Sequence, residues 1–222
     1  MKKLFILSNL LIMAFILASP VYGGNAPRNV SGDFDFYVLA MSWSPDFCAG
    51  QIGKDSEQCS PERNPGFVLH GLWPQYQKGF PKSCSSVPFP SSLKREFPGL
   101  FPNDRLYAHE WHRHGTCSGL LPREYLALAQ KLKQAVPIPT RYLHLREPLR
   151  TTTTALKKEF KVVDASQPDN GMAVFCSGSG RFLKEVFLCY NRHGKPTACS
   201  SEIMSKSARS CGHNDFLIRA GR

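Results

Sequence analysis

Beyond residue 23, the sequence contains no uninterrupted apolar segment long enough to cross a lipid bilayer. It also contains no internal repeats and no low-complexity tracts. Acidic residues are scarce, since the 222-residue chain has 17 Asp and Glu against 28 Lys and Arg. These absences argue against a helical membrane domain and a repeat architecture, and the length favours one domain with a complete hydrophobic core.

The first 23 residues have the form of a signal peptide. Two lysines precede an apolar run from Leu4 to Ala18, which is short for a membrane span and lacks a basic flank on its far side. The small residues that follow predict cleavage after Gly23, with cleavage after Ala18 as the alternative. We therefore expect residues 24–222 to form one soluble domain that is secreted or periplasmic.

Charge and cysteine content indicate the partner and the compartment. The formal net charge is +11, or +9 without the two lysines of the signal peptide. This excess suits a polyanion such as RNA or an anionic cell surface. Eight cysteines behind a signal peptide predict four disulfide bonds in an oxidising compartment, although eight cysteines alone allow 105 pairings.

Apolar periodicity predicts an α+β domain, an antiparallel β-sheet with helices packed against one side. Strands are predicted at residues 34–41, 66–73, 171–177, 181–190 and 215–219, and a loop at residues 44–65. Helices are predicted to end near His114 after a cap at Asn103 or Asp104, to run from Pro122 to Pro137, and to cover 148–160. Residues 75–102 contain five prolines from residue 81 onward and predict a long loop, with at most a short helix at 91–96. We expect this loop to form a wall of a cleft.

The nine-residue stretch HEWHRHGTC, which begins at His109, concentrates ionisable groups beyond any need of folding. Successive helical residues turn by about 100°, so Arg113, Glu110 and His114 lie at about 40°, 100° and 140° from His109. These four side chains share one face, whereas Trp111 points elsewhere and is expected in the core. A face with acid, base and fixed positive charge suits proton transfer around an anion.

A metal site is the competing interpretation of this stretch. The zinc-protease signature requires two histidines four residues apart, His-Glu-x-x-His. Here Arg113 stands four residues after His109, and its positive charge would repel a metal ion. We therefore expect no metal and no other cofactor.

A second stretch carries a histidine inside an apolar run. Residues 66–75 read GFVLHGLWPQ and predict a buried strand with His70 within it, where an unpartnered imidazole is costly. The segment His70-Gly71-Leu72-Trp73-Pro74 and the segment HEWHRHGTC together resemble the two active-site signatures of the ribonuclease T2 family, the secreted acid endoribonucleases. The opening segment GDFDFYVLAMSW, from Gly32, is also similar to the first strand of that family. One position departs, because the family usually has lysine where this chain has Arg113.

The resemblance implies that residues 24–222 are a catalytic domain that cleaves RNA without a metal. His114 would be the base and His70 the acid, Glu110 and Arg113 would act on the phosphoryl oxygens and on the protonation of His114, and His109 would bind phosphate. The products would be 2′,3′-cyclic phosphates, some opened later to 3′-phosphates. The family pattern also implies the disulfides Cys48–Cys59, Cys84–Cys117, Cys176–Cys211 and Cys189–Cys199.

Two further residues are candidates for substrate binding. Trp73 and Tyr76 follow His70 and are predicted to stack on bases, an interaction worth about 1–3 kcal/mol per base, although core packing explains Trp73 equally well. We expect a monomer whose partner is its RNA substrate. The alternatives are a non-catalytic exported protein that binds RNA or a partner, and a metal-dependent phosphodiesterase that a chelator would inhibit.

Overall fold

The computed structural model describes residues 28–51, 56–60, 63, 66–211 and 215–221. The strands are β1 (Phe36–Trp43), β2 (Phe67–Gln75), β3 (Leu149–Thr151), β4 (Met172–Ser177), β5 (Phe182–Asn191) and β6 (Phe216–Ile218). The helices are α1 (Ser44–Ala49), α2 (Ser56–Cys59), α3 (Leu93–Glu96), α4 (Arg105–Arg113), α5 (Pro122–Ala135), α6 (Thr153–Val163) and α7 (Ser201–Ser210). Two 3₁₀ turns lie at Gly115–Cys117 and Thr140–Tyr142.

The strands form one sheet in the order β2-β1-β5-β6-β3, and β4 also pairs with β5. Most pairings are antiparallel, as predicted, but β6 pairs parallel to β5 through Phe182 and Leu217. Parallel neighbours need a crossover connection, and α7 supplies one between these two strands. The α+β class is therefore confirmed, and the predicted antiparallel pairing is found in all the described strand pairs except β5–β6.

Strand β1 lies between β2 and β5 and is buried on both faces. Leu39 and Met41 enter the larger core cluster, which residues of α5 and α6 complete. Val38 and Ala40 enter a smaller cluster on the other face, which Ile203 of α7 helps to cover. Helices therefore cover both faces of the sheet, and the prediction of helices on one side only is wrong. The helix that was not predicted is α7, whose sequence is mostly polar.

Two local predictions also differ from the structure. Residues 44–65, predicted as loop, include α1, which Pro45 opens in its first turn, and α2. The predicted helix over 148–160 is instead strand β3 followed by α6. Helix α6 starts after Thr152, whose side chain accepts a hydrogen bond from the Ala155 amide at 3.1 Å.

Helix α4, which carries His109 to Arg113, and its neighbouring segments agree with their predictions. Helix α3 falls inside the proline-rich loop. Helix α5 lies within the predicted range and buries a stripe of Leu126, Ala129 and Leu132. Helix α4 follows Asn103, whose side-chain oxygen accepts from the Leu106 amide at 3.2 Å. The cap is therefore Asn103, and Asp104 makes no side-chain capping bond.

Four disulfides join the pairs that the family resemblance implies, Cys48–Cys59, Cys84–Cys117, Cys176–Cys211 and Cys189–Cys199. Across the described ranges, no helix has the length and apolar character needed to cross a membrane. The proposed signal peptide, residues 1–23, lies outside the described residues.

Candidate active site

A β-bulge on β2 sets the position of His70. Consecutive residues of β1 pair with Gly71 and Leu69, which leaves His70 as an extra residue in the ladder. A bulge redirects side chains relative to the regular alternation of a strand. As a result 38% of the His70 side chain is exposed although the strand around it is buried.

Trp73 ties β2 to the motif helix α4. Its indole Nε1–H donates to Glu110 Oε2 at 2.7 Å, and Glu110 is only 1% exposed. Gly71 lies against this bond, because a Cβ at that position would lie 2.0 Å from Glu110 Oε2 and 2.1 Å from Trp73 Nε1. Only glycine fits here without displacing one of the two side chains.

The indole of Trp73 lies between two histidines. The ring centroid of His70 is 5.1 Å away in an edge contact, and the His114 ring stacks at 5.1 Å with an interplanar angle of 27°. Phe187 packs against the indole edge at 5.3 Å, and the Phe80 ring lies 6.4 Å from His114. The two predicted catalytic histidines are thus brought together around one half-buried tryptophan.

Helix α4 distributes its ionisable side chains differently from the single face that a regular helix predicts. Glu110 is buried against Trp73 and Trp111 lies in the larger core cluster, whereas His109 is exposed. His114 follows the last helical residue, with its amide still donating to the Glu110 carbonyl. Since its backbone has left helical geometry (φ −124°), His114 is directed by this end of the helix rather than by helical periodicity.

The proline-rich loop, which was predicted to form a wall of a cleft, contacts the end of α4. The Ser83 amide donates to the Arg113 carbonyl at 3.0 Å, and the Cys84–Cys117 disulfide follows directly. The loop and the disulfide therefore hold the segment that carries Arg113 and His114.

The surroundings of His114 favour its neutral form. Burial lowers the pKa of His114 to about 3, and the positive charges of Arg113, His109 and His70 act in the same direction. The imidazole is therefore an uncharged proton acceptor at neutral pH. Arg113 and His109, both on α4, contribute fixed or potential positive charge beside it.

The surroundings of His70 favour its charged form. Burial alone would lower the pKa of His70, but the nearby carboxylates of Glu185 and Glu110 outweigh it and raise the pKa. Nδ1 of His70 lies 3.5 Å from Glu185 Oε2, an ion-pair distance. Lys184 opposes the shift with its positive charge.

Glu110 is a carboxyl poised near neutrality. Burial raises the pKa of Glu110 to about 7, although the charge of His70 and the hydrogen bond from Trp73 act against the rise. A carboxyl in this state changes its proton occupancy within the physiological range. Its charge acts on His70. The structure therefore links Glu110 to His70, whereas the resemblance implied an effect of Glu110 on the protonation of His114.

Glu185 is a site residue that no sequence motif indicates. It lies on β5, 115 positions after His70, and is 5% exposed. The available signal was the charged pair Lys184-Glu185 inside an otherwise apolar strand, where a charge needs a partner.

The predicted base-stacking residues have different surroundings. Trp73 is engaged by both histidines, Glu110 and Phe187, which supports a packing role in addition to the predicted one. The Tyr76 hydroxyl donates to the Arg28 carbonyl at 3.1 Å, and the Arg28 guanidinium lies 5.2 Å from the ring centroid. Base stacking by either residue stays a prediction.

The chain is similar to known proteins in sequence and in fold. The model of the ribonuclease T2 family matches residues 34–199. A ribonuclease of Aeromonas hydrophila is 37% identical over 233 aligned positions, which cover all of both chains. Among solved structures, the S-like ribonuclease trichomaglin aligns with a TM-score of 0.66 and 18% identity over 85% of this chain and 98% of its own. Ribonuclease MC1 from bitter gourd seeds aligns with a TM-score of 0.61 and 22% identity, over 82% and 99%.

The family match spans most of the described domain, and the Aeromonas relative extends it to the full length of both sequences. The two solved structures share the fold of this α+β domain. The chain belongs to the ribonuclease T2 family and is an endoribonuclease.

Proposed function

We propose that this endoribonuclease cleaves single-stranded RNA by metal-independent transesterification, through 2′,3′-cyclic phosphates to 3′-phosphate ends. The observation that carries the proposal is the pair of histidines around Trp73 with opposite pKa shifts, His114 lowered and His70 raised. Environments that separate two pKa values in this way distinguish a base from an acid. This supports His114 as the base and His70 as the acid.

In the first step the nucleophile comes from the substrate. Neutral His114 takes the proton of the ribose 2′-hydroxyl, the 2′-oxygen forms a bond to phosphorus, and the bond from phosphorus to the 5′-oxygen breaks. His70 in its charged form donates its proton to that departing oxygen. The negative phosphodiester beside His114 offsets the cations that lower its pKa, so the base strengthens when substrate binds.

In the second step the roles reverse. His70, now neutral, takes a proton from water, the water oxygen attacks the cyclic phosphate, and the bond to the 2′-oxygen breaks. His114, protonated in the first step, returns its proton to the 2′-oxygen. The product carries a 3′-phosphate, and both histidines regain their starting states.

Three residues of α4 are proposed to act on the phosphoryl charge. Arg113 and His109 lie close enough to lower the pKa of His114, so they provide positive charge where the phosphorane forms. Glu110, with Oε2 held by Trp73, is proposed to hydrogen-bond a phosphoryl oxygen when protonated.

We propose further that the enzyme is exported as a monomer. Residues 1–23 would be removed as a signal peptide, and residues 24–222 would form the mature catalytic domain. Support comes from the apolar run behind two lysines and from four disulfides, which form and persist in oxidising compartments.

The test is cleavage of matched oligonucleotides in the presence of EDTA. RNA should be cut to products with cyclic or 3′-phosphate ends, identified by mass, whereas DNA and fully 2′-O-methylated RNA should stay intact. Cleavage of the methylated strand at the RNA rate would refute the mechanism. Loss of RNA cleavage in EDTA, restored by a divalent cation, would instead support the metal-dependent alternative.

A further inference from the structure

Glu185 is a buried carboxylate that the proposed mechanism does not yet use. Its Oε2 lies 3.5 Å from His70 Nδ1, and its Oε1 forms an ion pair with Lys184 Nζ at 3.0 Å. Within the described part of the chain, neither His70 Nδ1 nor Glu185 Oε2 has a hydrogen-bond partner, and both atoms are buried. A buried charge is costly unless it is paired, so each group offers the other its compensating charge.

The sheet brings these two residues together by two bulges. Strands β2 and β5 flank β1, and His70 is the extra residue of the bulge on β2. On β5, consecutive residues of β4 pair with Glu185 and Leu183, which leaves Lys184 as the extra residue. The bulges thus interrupt both ladders beside the site, and His70 and Glu185 meet over β1.

We propose that Glu185 is a positioning residue for RNA cleavage, which holds the Nδ1 side of His70 so that Nε2 delivers the proton to the leaving 5′-oxygen. The proposal rests on the acid role of His70 in the proposed function. Nδ1 is buried while over a third of the side chain is exposed, so Nε2 is the nitrogen on the open side of the ring. An anion at Nδ1 also fixes the tautomer of neutral His70, with its proton on Nδ1 and Nε2 free to act as base in the second step.

The charges around His70 determine the sign of the effect. Glu185 and Lys184 face it from β5, Glu110 from α4, and His114 from the residue that follows α4. The two carboxylates stabilise the imidazolium and Lys184 opposes it, whereas His114 is uncharged and adds no opposing charge. Removal of the Glu185 charge therefore lowers the pKa of His70 and narrows the pH range in which the acid is protonated.

The experiment compares two substrates that differ in their need for an acid. A dinucleotide has a basic alkoxide leaving group, whereas uridine 3′-(4-nitrophenyl phosphate) has a weakly basic phenolate that leaves without protonation. Glu185→Gln should lower kcat on the dinucleotide by about 10-fold to 100-fold and change cleavage of the aryl ester by less than about threefold. An equal loss on both substrates would overturn the proposal, because a damaged fold or a lost binding contact affects both.

The pH profile gives a second readout that a structural role would not move. Activity on the dinucleotide falls at high pH as His70 loses its proton, and Glu185→Gln should shift this alkaline limb to lower pH. Lys184→Met is the matched control, since it removes the opposing cation and should shift the limb the other way. An unmoved limb in Glu185→Gln would contradict the proposal.

His70→Ala separates failure of this proposal from failure of the proposed function. If His70→Ala retains dinucleotide cleavage, the acid assignment itself is wrong. If His70→Ala loses about 10²–10⁴ of that activity while Glu185→Gln keeps both its rate and its alkaline limb, only the positioning role is wrong.

Measurements on the unaltered enzyme keep the proposal testable if Glu185→Gln folds poorly. Nitrogen-15 NMR should show that neutral His70 carries its proton on Nδ1 and that the imidazole titrates above the ordinary histidine range. Glu185→Asp, which keeps the charge on a shorter side chain, should retain the alkaline limb better than Glu185→Gln. A His70 that carries its proton on Nε2 and titrates normally would overturn the proposal.

Discussion

Replacement of Glu110 by glutamine should stabilise the fold at alkaline pH. Glutamine has nearly the same shape, and its side-chain oxygen can still accept the Trp73 indole hydrogen that Glu110 Oε2 accepts at 2.7 Å. The change removes a titratable group that is 1% exposed, so the charge has little access to solvent. The effect on stability must therefore depend on pH.

The size of the effect follows from the pKa of Glu110 in the folded state. Burial raises that pKa from 4.5 to about 7, so between these values the folded state holds a proton that the unfolded state has released. Such a group contributes full stability below pH 4.5 and loses it as the pH rises through about 7. The corresponding loss is about 3 kcal/mol, and Glu110→Gln avoids it. The variant should match the wild type at pH 4 and exceed it by about 1–3 kcal/mol at pH 8, since the glutamine amide also needs a partner.

Urea denaturation at pH 4 and pH 8, with the disulfides intact, measures this difference. Glu147→Gln is the control, because it makes the same chemical change on an exposed side chain. It should alter the urea unfolding curve at neither pH. A difference between Glu110→Gln and wild type that is the same at both pH values would refute the reasoning. So would a variant that loses stability relative to wild type as the pH rises.

Three other changes have predicted outcomes. Gly71→Ala should cost about 1–3 kcal/mol of unfolding free energy and most of the activity, because its Cβ would lie 2.0 Å from Glu110 Oε2; unchanged urea midpoints would contradict this. A double alanine variant of Cys84–Cys117 should lose activity at temperatures where circular dichroism still reports an intact sheet, and coincident losses would count against a local role. Arg113→Ala should lower kcat by about 10²–10³ with little change in KM, whereas Arg113→Lys should stay within about tenfold of wild type; a mainly raised KM would make Arg113 a ground-state phosphate clamp.

The fold was predictable where one periodicity ran unbroken through a segment. Strand β1 and helix α5 were recognised because their apolar residues recur at the spacing of a strand and of a helix, respectively. Helix α7 was missed because its buried side chains are few, mainly Ile203 and Ser207, and serines fill much of the rest. Ser207 is buried because its hydroxyl bonds Val174 of β4 at 2.9 Å, a contact between segments 33 positions apart that no local pattern contains.

In the candidate site, too, the features that are local in the sequence were predictable and the long-range contact was not. His70, Glu110 and His114 were recognised because each lies in a short motif, and a motif is a local feature of the sequence. The bulge at His70 is also indicated by the local sequence. With strict alternation along β2, either His70 would point away from Trp73 or its apolar neighbours would point away from the core. No local feature pairs His70 with Glu185, because the two residues meet only through the order of strands β2, β1 and β5. A charged residue in an apolar strand indicates that some partner exists, and only the sheet order identifies the partner as the imidazole that is proposed to protonate the leaving group.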